Sequence, residues 1–345
     1  MAKKLRFLVV IALLVLSLAA CGKTKSTTTT TTNAKREFVR DGEFSAIKAS
    51  LNSGAPQYTI VTVKIENDKV VSYYINCLQS TKTTTEGKAS YSFNNLTKKE
   101  LGYAYHMHYN TYKATLGENP TEAQLSDTAY AAWLKANNKL EWFEQAQKLE
   151  AFFLEKGPDK LEVATDSKIS GVAGVTIKNA DYKELAVEAL ANAKAGKVVF
   201  ALGDGTDLIW AEGKVDKNGN LSDVKLNTLQ GKVQEDNTFK WNEKNKQELG
   251  YAYHMHYNSF KASLGENPTE AQLSDTAYAA WLKANNKLEW FEQAAIVVEK
   301  FMATGTADLP LNGTKLTDAA KAATGVTINV SKYIAALQGL KAAVK

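Results

Sequence analysis

Two threonines stand where a phosphate could be presented to a helix N-terminus. Gly174-Val175-Thr176-Ile177 and Gly325-Val326-Thr327-Ile328 are copies of one tetrapeptide, so Thr176 and Thr327 correspond. Tyr182 and Tyr333 each follow six residues later, and each Tyr lies in an Ala-rich amphipathic stretch, Asp181 to Lys194 or Ser331 to Val344. A Thr just ahead of a helix N-terminus is placed to present a phosphate to free N–H groups and to the positive end of the helix dipole. The preceding glycine, Gly174 or Gly325, lets another backbone or an enzyme approach closely. A bend leading into a buried strand would use the same four residues. Their occurrence twice, in one context and in otherwise diverged sequence, favours function.

All four histidines lie in two triplets, His106-Met107-His108 and His254-Met255-His256. On a strand, residues i and i+2 share a face and could chelate a metal, whereas on a helix they diverge. A copper or haem site made from His and Met is chemically feasible. No carboxylate or Cys accompanies the triplets at ligand spacing, however. The preferred reading is an apolar pocket lined by Tyr105 and Met107, and by Tyr253 and Met255, with the histidines beside it. A metal- or haem-binding surface protein is the alternative. No Ser/His/Asp or paired-carboxylate constellation is visible, so no catalytic residue is assigned and no metal ligand is expected. A phosphate-cradling glycine loop of the P-loop or dinucleotide type is also missing.

An internal repeat positions these groups. Residues 101–146 recur as 249–294, and only Thr111/Ser259, Tyr112/Phe260 and Thr115/Ser263 differ. A period near 150 is too long for a solenoid and implies two copies of one unit. Ahead of the first block, Tyr58 to Ile75 reads as two β-branched strands around an Asn67-Asp68 turn. Ahead of the second, Val198 to Leu202, Leu208 to Val215 and Leu221 to Leu226 read as strands, with a type I′ turn expected at Asn218-Gly219. Each half then becomes helical. Thr121 and Gln124 fit a capping box, and Pro120 at the first helical position behind Asn119 is the alternative start. Trp142, Ala146, Leu149 and Phe153 form a helical stripe repeated as Trp290, Ala294, Val297 and Phe301, which reads as core packing. The fold class is therefore α+β, a small antiparallel sheet packed with helices in each half. The boundaries are 38–195 and 196–345.

Lys+Arg 42 against Asp+Glu 37 gives a net charge of +5 over 345 residues, and Lys3, Lys4 and Arg6 supply part of that excess. So mild a balance argues against a nucleic-acid partner. Two cysteines, Cys21 and Cys77, are too few for a disulfide scaffold. Cys77 is expected just beyond a strand, buried and inert. Residues 1–20 combine a basic start with an apolar run from Phe7 to Ala20, as in a signal peptide. Leu18-Ala19-Ala20-Cys21 looks like a bacterial lipobox, with Cys21 the lipidated residue and the anchor on the outer face of the cell membrane. Residues 21–37, with six consecutive threonines, read as a solvated tether.

Asp41-Gly42-Glu43-Phe44, the run Val61 to Ser72 and the Gly-Val-Thr-Ile tetrapeptides resemble the small FMN-binding domain. The similarity extends to Leu101-Gly102-Tyr103-Ala104-Tyr105-His106-Met107 and to Glu141-Trp142-Phe143-Glu144-Gln145-Ala146, and covers residues 38–345 as two copies. In that family a flavin transferase ties FMN to a Thr by a phosphodiester. The resemblance implies two covalent FMN groups, on Thr176 and Thr327, with Gly174, Gly325, Tyr105, Met107, Tyr253 and Met255 as cofactor-binding residues. The family's acidic residue six before the Thr is Ser170 in the first copy and Lys321 in the second. The tandem arrangement behind a lipobox is similar to Gram-positive lipoproteins of flavin-based extracellular electron transfer. It implies a carrier taking electrons from a membrane donor, a quinol or NADH dehydrogenase system. The acceptors would be extracellular ones such as ferric iron, and the resemblance further implies that the signal peptide is a pheromone precursor.

Overall fold

A computed structural model describes residues 36–344. The expectations for the signal peptide, for Cys21 and for the Thr-rich tether lie outside these described residues. From Arg36 onward the chain forms one compact unit.

The first half opens with four antiparallel strands, β1 (Gly42–Asn52), β2 (Ala55–Glu66), β3 (Lys69–Thr85) and β4 (Lys88–Phe93), hydrogen-bonded in chain order. The tight connections follow from local chemistry. Asn67 and Asp68 between β2 and β3 both take positive φ, 52° and 61°, as a type I′ turn requires. Register then aligns one face. Val63 lies opposite Phe44 and Tyr73, and Val61 opposite Ala46 and Ile75. All six are buried, as the period-2 pattern demands. Cys77 lies within β3, not beyond a strand, and is wholly buried, which pushes its thiol pKa up.

Three longer helices follow: α1 (Asp127–Ala136), α2 (Trp142–Lys156) and α3 (Tyr182–Ala195). The capping box of Thr121 and Gln124 starts a short helical turn at Glu122–Leu125. The α2 stripe of Trp142, Ala146, Leu149 and Phe153 is buried throughout. Phe153 meets Tyr73 edge-on at 5.6 Å between ring centroids. Each such side chain removed from water contributes about 1.5–3 kcal/mol.

The second half repeats this order with three strands, β5 (Lys197–Asp204), β6 (Asp207–Val215) and β7 (Leu221–Leu229). Helices α4 (Asp275–Ala284), α5 (Trp290–Thr304) and α6 (Ser331–Ala343) follow. The connection at Asn218-Gly219 differs from the type I′ expectation, since only Gly219 has positive φ, 86°. The Asp216 carboxylate accepts from the backbone N–H of Asn218 and of Asn220, both at 2.8 Å. This side-chain competition for backbone donors produces a longer loop.

One apolar core runs through both halves. Tyr58, Leu78 and Phe93 of the first half also pack with Ala201 and Leu208 of the second. The β3–β4 hairpin grips the second half at Asn237, whose side chain accepts from Ala89 N–H at 2.8 Å and donates to Gly87 O at 3.0 Å. The junction itself is Gly196, left-handed at φ 68° after the last residue of α3. A Cβ there would lie 2.4 Å from the Val215 carbonyl oxygen. Since that obstacle is backbone, Gly196→Ala is expected to cost about 2–3 kcal/mol, read as a lower urea midpoint. An unchanged midpoint would show that the junction yields freely.

Candidate functional site

A capped helical turn leads into the repeated block in each half. Thr97 and Glu100 form a capping box around Lys98–Leu101, and Asn245 and Glu248 do the same around Lys246–Leu249. The turn is tied to the sheet by an Asn of β3 or β7. Asn76 Oδ1 accepts from Cys77 and Lys99 N–H, and Asn227 Oδ1 from Thr228 and Gln247 N–H. The chain then passes through a 3₁₀ turn, Gly102–Tyr105 or Gly250–Tyr253, and ends in a left-handed histidine, His106 or His254, at φ 61°.

A buried glutamate at the start of α2 or α5 holds this geometry. Glu141 is wholly buried and accepts from Met107 N–H at 3.0 Å, Trp142 N–H at 2.7 Å and Tyr130 O–H at 2.7 Å. Glu289 makes the same three contacts to Met255, Trp290 and Tyr278. The Tyr130 and Tyr278 hydroxyls in turn accept from His108 and His256 N–H at 2.8 Å. Burial, with the carboxylate alongside, drives both phenol pKa values far up, so they remain donors.

The His-Met-His triplets form neither a strand nor a regular helix. His106 and His254 turn outward, with Nε2 2.6 and 2.7 Å from Asp127 and Asp275 and rings stacked 3.9 Å from Tyr109 and Tyr257. His256 instead lines a cavity. No group of three or more His, Cys, Asp or Glu among the described residues is arranged to hold a metal ion.

The acceptor loops meet the block through a glutamine. Gln145 Oε1 accepts from Thr176 N–H at 2.7 Å, Ile177 N–H at 3.0 Å and the Thr176 hydroxyl at 3.2 Å. Its Nε2 donates to Leu140 O at 3.0 Å and lies 3.9 Å from Met107 Sδ. Gln293 repeats every contact, to Thr327, Ile328, Leu288 and Met255. The valine before each Thr is buried while the Thr is exposed. The hydroxyl is thus presented on an anchored loop. Gly174 and Gly325 are needed for conformation, at φ 80° and 72°, and lie close against Leu140 and Leu288.

In the second half these parts surround one cavity of about 510 Å³. Thr327, Tyr253 and Met255 all line it, with Lys246, Trp290 and Tyr333 as further walls. Asp204, Asp207, Lys332 and the first residues of α6 complete the rim. Helix α6 begins without a side-chain cap. Trp290 Nε1 donates to the Tyr333 hydroxyl at 3.1 Å, matching Trp142 and Tyr182 at 3.3 Å. Burial raises the pKa of both phenols.

Lys246 is 7% exposed, and its Nζ stands 4.9 Å from the Tyr253 ring and 5.3 Å from the Trp290 ring. Lys98, 6% exposed, stands 5.0 and 5.1 Å from Tyr105 and Trp142. Neighbouring Lys99 pairs with Glu150, but neither Lys98 nor Lys246 forms an ion pair among the described residues. Cation–π contact offsets only part of the cost of burying an ammonium. Lys98 therefore favours an anion, whereas at Lys246 the Asp207 carboxylate in the same cavity already supplies part of that charge.

The structure thus joins Thr176 to Met107 through Gln145, and Thr327 to Met255 through Gln293, with Tyr253 on the cavity that Thr327 lines; Gly174 and Gly325 instead line neighbouring clefts with Leu140 and Leu288. Sequence reasoning missed Gln145, Gln293, Lys98 and Lys246. The glutamines had a usable signal. Gln145 lies three after Trp142 and four before Leu149, a polar side chain on the buried stripe. Such a group must have partners. Gln293→Ala is expected to raise amide exchange at Thr327 and Ile328 about tenfold or more. Unaltered protection in hydrogen-exchange mass spectrometry would remove the clamp role. Comparison with protein-family models, with curated proteins and with solved structures returns no match.

Proposed function

We propose that each half of the chain is an FMN-binding unit, 38–195 and 196–345, with the cofactor tied through its phosphate to Thr176 or Thr327. The protein is then an electron carrier, moored through Cys21 on the outer face of the membrane. It passes electrons from a membrane donor, a quinol or NADH dehydrogenase system, to extracellular acceptors such as ferric iron. One observation carries the reading. An exposed, anchored Thr327 opens onto a cavity that also holds a buried ammonium with no ion pair among the described residues, two aromatic walls and a helix N-terminus.

Those residues suit the cofactor. A phosphate on Thr327 Oγ1 would sit beside Lys332 and the start of α6, where unsatisfied N–H groups and the dipole favour an anion. Tyr253, Met255, Trp290 and Tyr333 offer flat or polarisable apolar surface to a ring system. Gln293 holds the acceptor loop chiefly by its backbone, through Thr327 and Ile328 N–H, and takes only a long 3.4 Å bond from the Thr327 hydroxyl, which modification would replace. Lys246 supplies positive charge inside the pocket. FMN bound there would supply the capacity to take up and release electrons. Covalent attachment suits an extracellular carrier, because a dissociated cofactor would diffuse away.

The test is peptide mass spectrometry on protein co-expressed with a flavin transferase. The peptides containing Thr176 and Thr327 are expected to carry the mass of FMN less water. Both peptides bare, with the transferase active on a control substrate, would overturn the proposal.

A further inference from the structure

We propose that the cleft beside each acceptor loop is the docking site of the transferase that esterifies Thr176 and Thr327, and that the enzyme enters it with an apolar side chain flanked by carboxylates. This deepens the reading above and rests on it.

The transfer makes a demand on the chain. The Thr hydroxyl oxygen attacks the flavin-bearing phosphorus of an FMN phosphoanhydride such as a flavin dinucleotide. A P–O ester bond forms, the anhydride bond breaks, the nucleoside monophosphate leaves, and the hydroxyl proton passes to a base of the enzyme. One enzyme doing this at two loops must bind what the loops have in common. Upstream of the tetrapeptide they have little. Gly174 follows a two-residue strand, Ile169–Ser170, and a turn, whereas Gly325 caps a short helix, Asp318–Thr324. Ser170 to Ala173 and Lys321 to Thr324 differ at every position. Within the shared tetrapeptide the valine is buried and offers an enzyme nothing.

What both loops do share is a wall of a cleft. Gly174 lines one of about 740 Å³, and Gly325 lines one of about 600 Å³. Each is built from the second half of α1 or α4, the turn after that helix and the start of α2 or α5. Nine further lining residues correspond in the two clefts and are identical, among them Ala132/Ala280, Lys135/Lys283 and Leu140/Leu288. Thr327 lies instead on the FMN cavity, so the loop stands between the two hollows. An enzyme seated in the cleft meets the loop at its glycine, and the hydroxyl-bearing residue is two further on, at most about 7 Å along the chain.

The chemistry of the cleft selects its occupant. Its apolar lining is small, alanines and a half-buried leucine, which suits one inserted apolar side chain. Its rim is basic, with Lys135, Lys139 and Lys148 in the first half and Lys283 and Lys287 in the second. The one carboxylate, Glu144 or Glu292, is engaged within the fold. Glu144 accepts from Glu141 N–H at 2.8 Å and from the Tyr103 hydroxyl at 3.3 Å, and Glu292 from Glu289 N–H at 2.7 Å and the Tyr251 hydroxyl at 3.2 Å. The lysines therefore outnumber the acid in both clefts, and their charge is complementary to an acidic edge.

The experiment uses the full-length chain carrying Thr176→Ala, which leaves Thr327 as the acceptor, with initial rates of covalent flavin incorporation measured at varied chain concentration. Lys283→Glu with Lys287→Glu should raise KM about tenfold and leave kcat nearly unchanged, since rim charges act on encounter and binding. Lys283→Arg with Lys287→Arg should keep the parent KM, and added salt should raise the parent KM. A second measurement is competition. The chain with both acceptors changed to Ala should inhibit modification of the parent, and reversing Lys135, Lys139, Lys283 and Lys287 to Glu in that competitor should abolish the inhibition. Urea midpoints equal to the parent's would exclude unfolding, because these lysines are at the surface. An unchanged KM, or undiminished competition by the reversed chain, would overturn this inference alone. Unchanged transfer with self-association lost in sedimentation would give the cleft to a second copy and overturn it too. A parent chain left bare by a transferase active on a control substrate would overturn the underlying reading.

Discussion

Thr176→Ala combined with Thr327→Ala abolishes the flavin fluorescence of the denatured protein in a gel, and each single substitution removes about half of it. That is the expected result for protein made together with a flavin transferase. Denaturation leaves only covalently held cofactor, so the signal counts esterified hydroxyls. Each Thr is exposed while the valine before it is buried. The loop is held through backbone N–H groups bonded to Gln145 or Gln293. Removing the hydroxyl loses one bond to the glutamine but leaves both backbone bonds in place, so loss of signal would not reflect misfolding. Thr→Ser at either position should restore the signal, because the nucleophilic oxygen returns. Fluorescence surviving in the double Ala variant would place attachment at another residue.

Glu289→Ala should lower unfolding free energy by about 3–5 kcal/mol, because several buried donors lose their acceptor at once. Glu289 is wholly buried, and Met255 N–H, Trp290 N–H and the Tyr278 hydroxyl all donate to it. None of them has another protein acceptor within reach among the described residues. Water would have to enter beneath Tyr278, which is itself fully buried. Glu289→Gln keeps the shape and one acceptor oxygen, and should cost about 1–3 kcal/mol. Glu141 occupies the same position in the first half, so Glu141→Ala should match it. Urea unfolding followed by Trp fluorescence gives the comparison. A Glu289→Ala protein within about 1 kcal/mol of the parent would show that the clamp contributes little. The clamp also fixes Met255 at the cavity wall, so its loss should loosen the candidate site along with the fold.

The residue pattern alone reached β2, the first part of β3, β5 to β7, the helices α2, α3, α5 and α6 and the buried stripes of α2 and α5, but not β1, β4, α1 or α4. Period-2 and period-3.6 burial are local properties that neighbouring residues impose on one another. It also reached the Asn67-Asp68 turn, since positive φ is tolerated there by the residue types themselves. At Asn218-Gly219 the same reasoning fell short because the Asp216 side chain competed for the backbone. The His-Met-His triplets stayed ambiguous because spacing separates strand from helix only when the backbone is regular. Tertiary packing settled that backbone, through Glu141 and Glu289 reaching Met107 and Met255 across 34 residues. The two acceptor tetrapeptides were legible as a repeated pattern. What surrounds them was not. Gln145 meets Thr176 across 31 residues, and Asp207 enters the pocket of Thr327 from a strand far earlier in the chain. Composition and periodicity thus determined which segments are strand, helix and core. Only the folded chain decided which polar groups share a pocket, because the pairing of buried donors, acceptors and charges depends on distance in space and not on distance along the sequence.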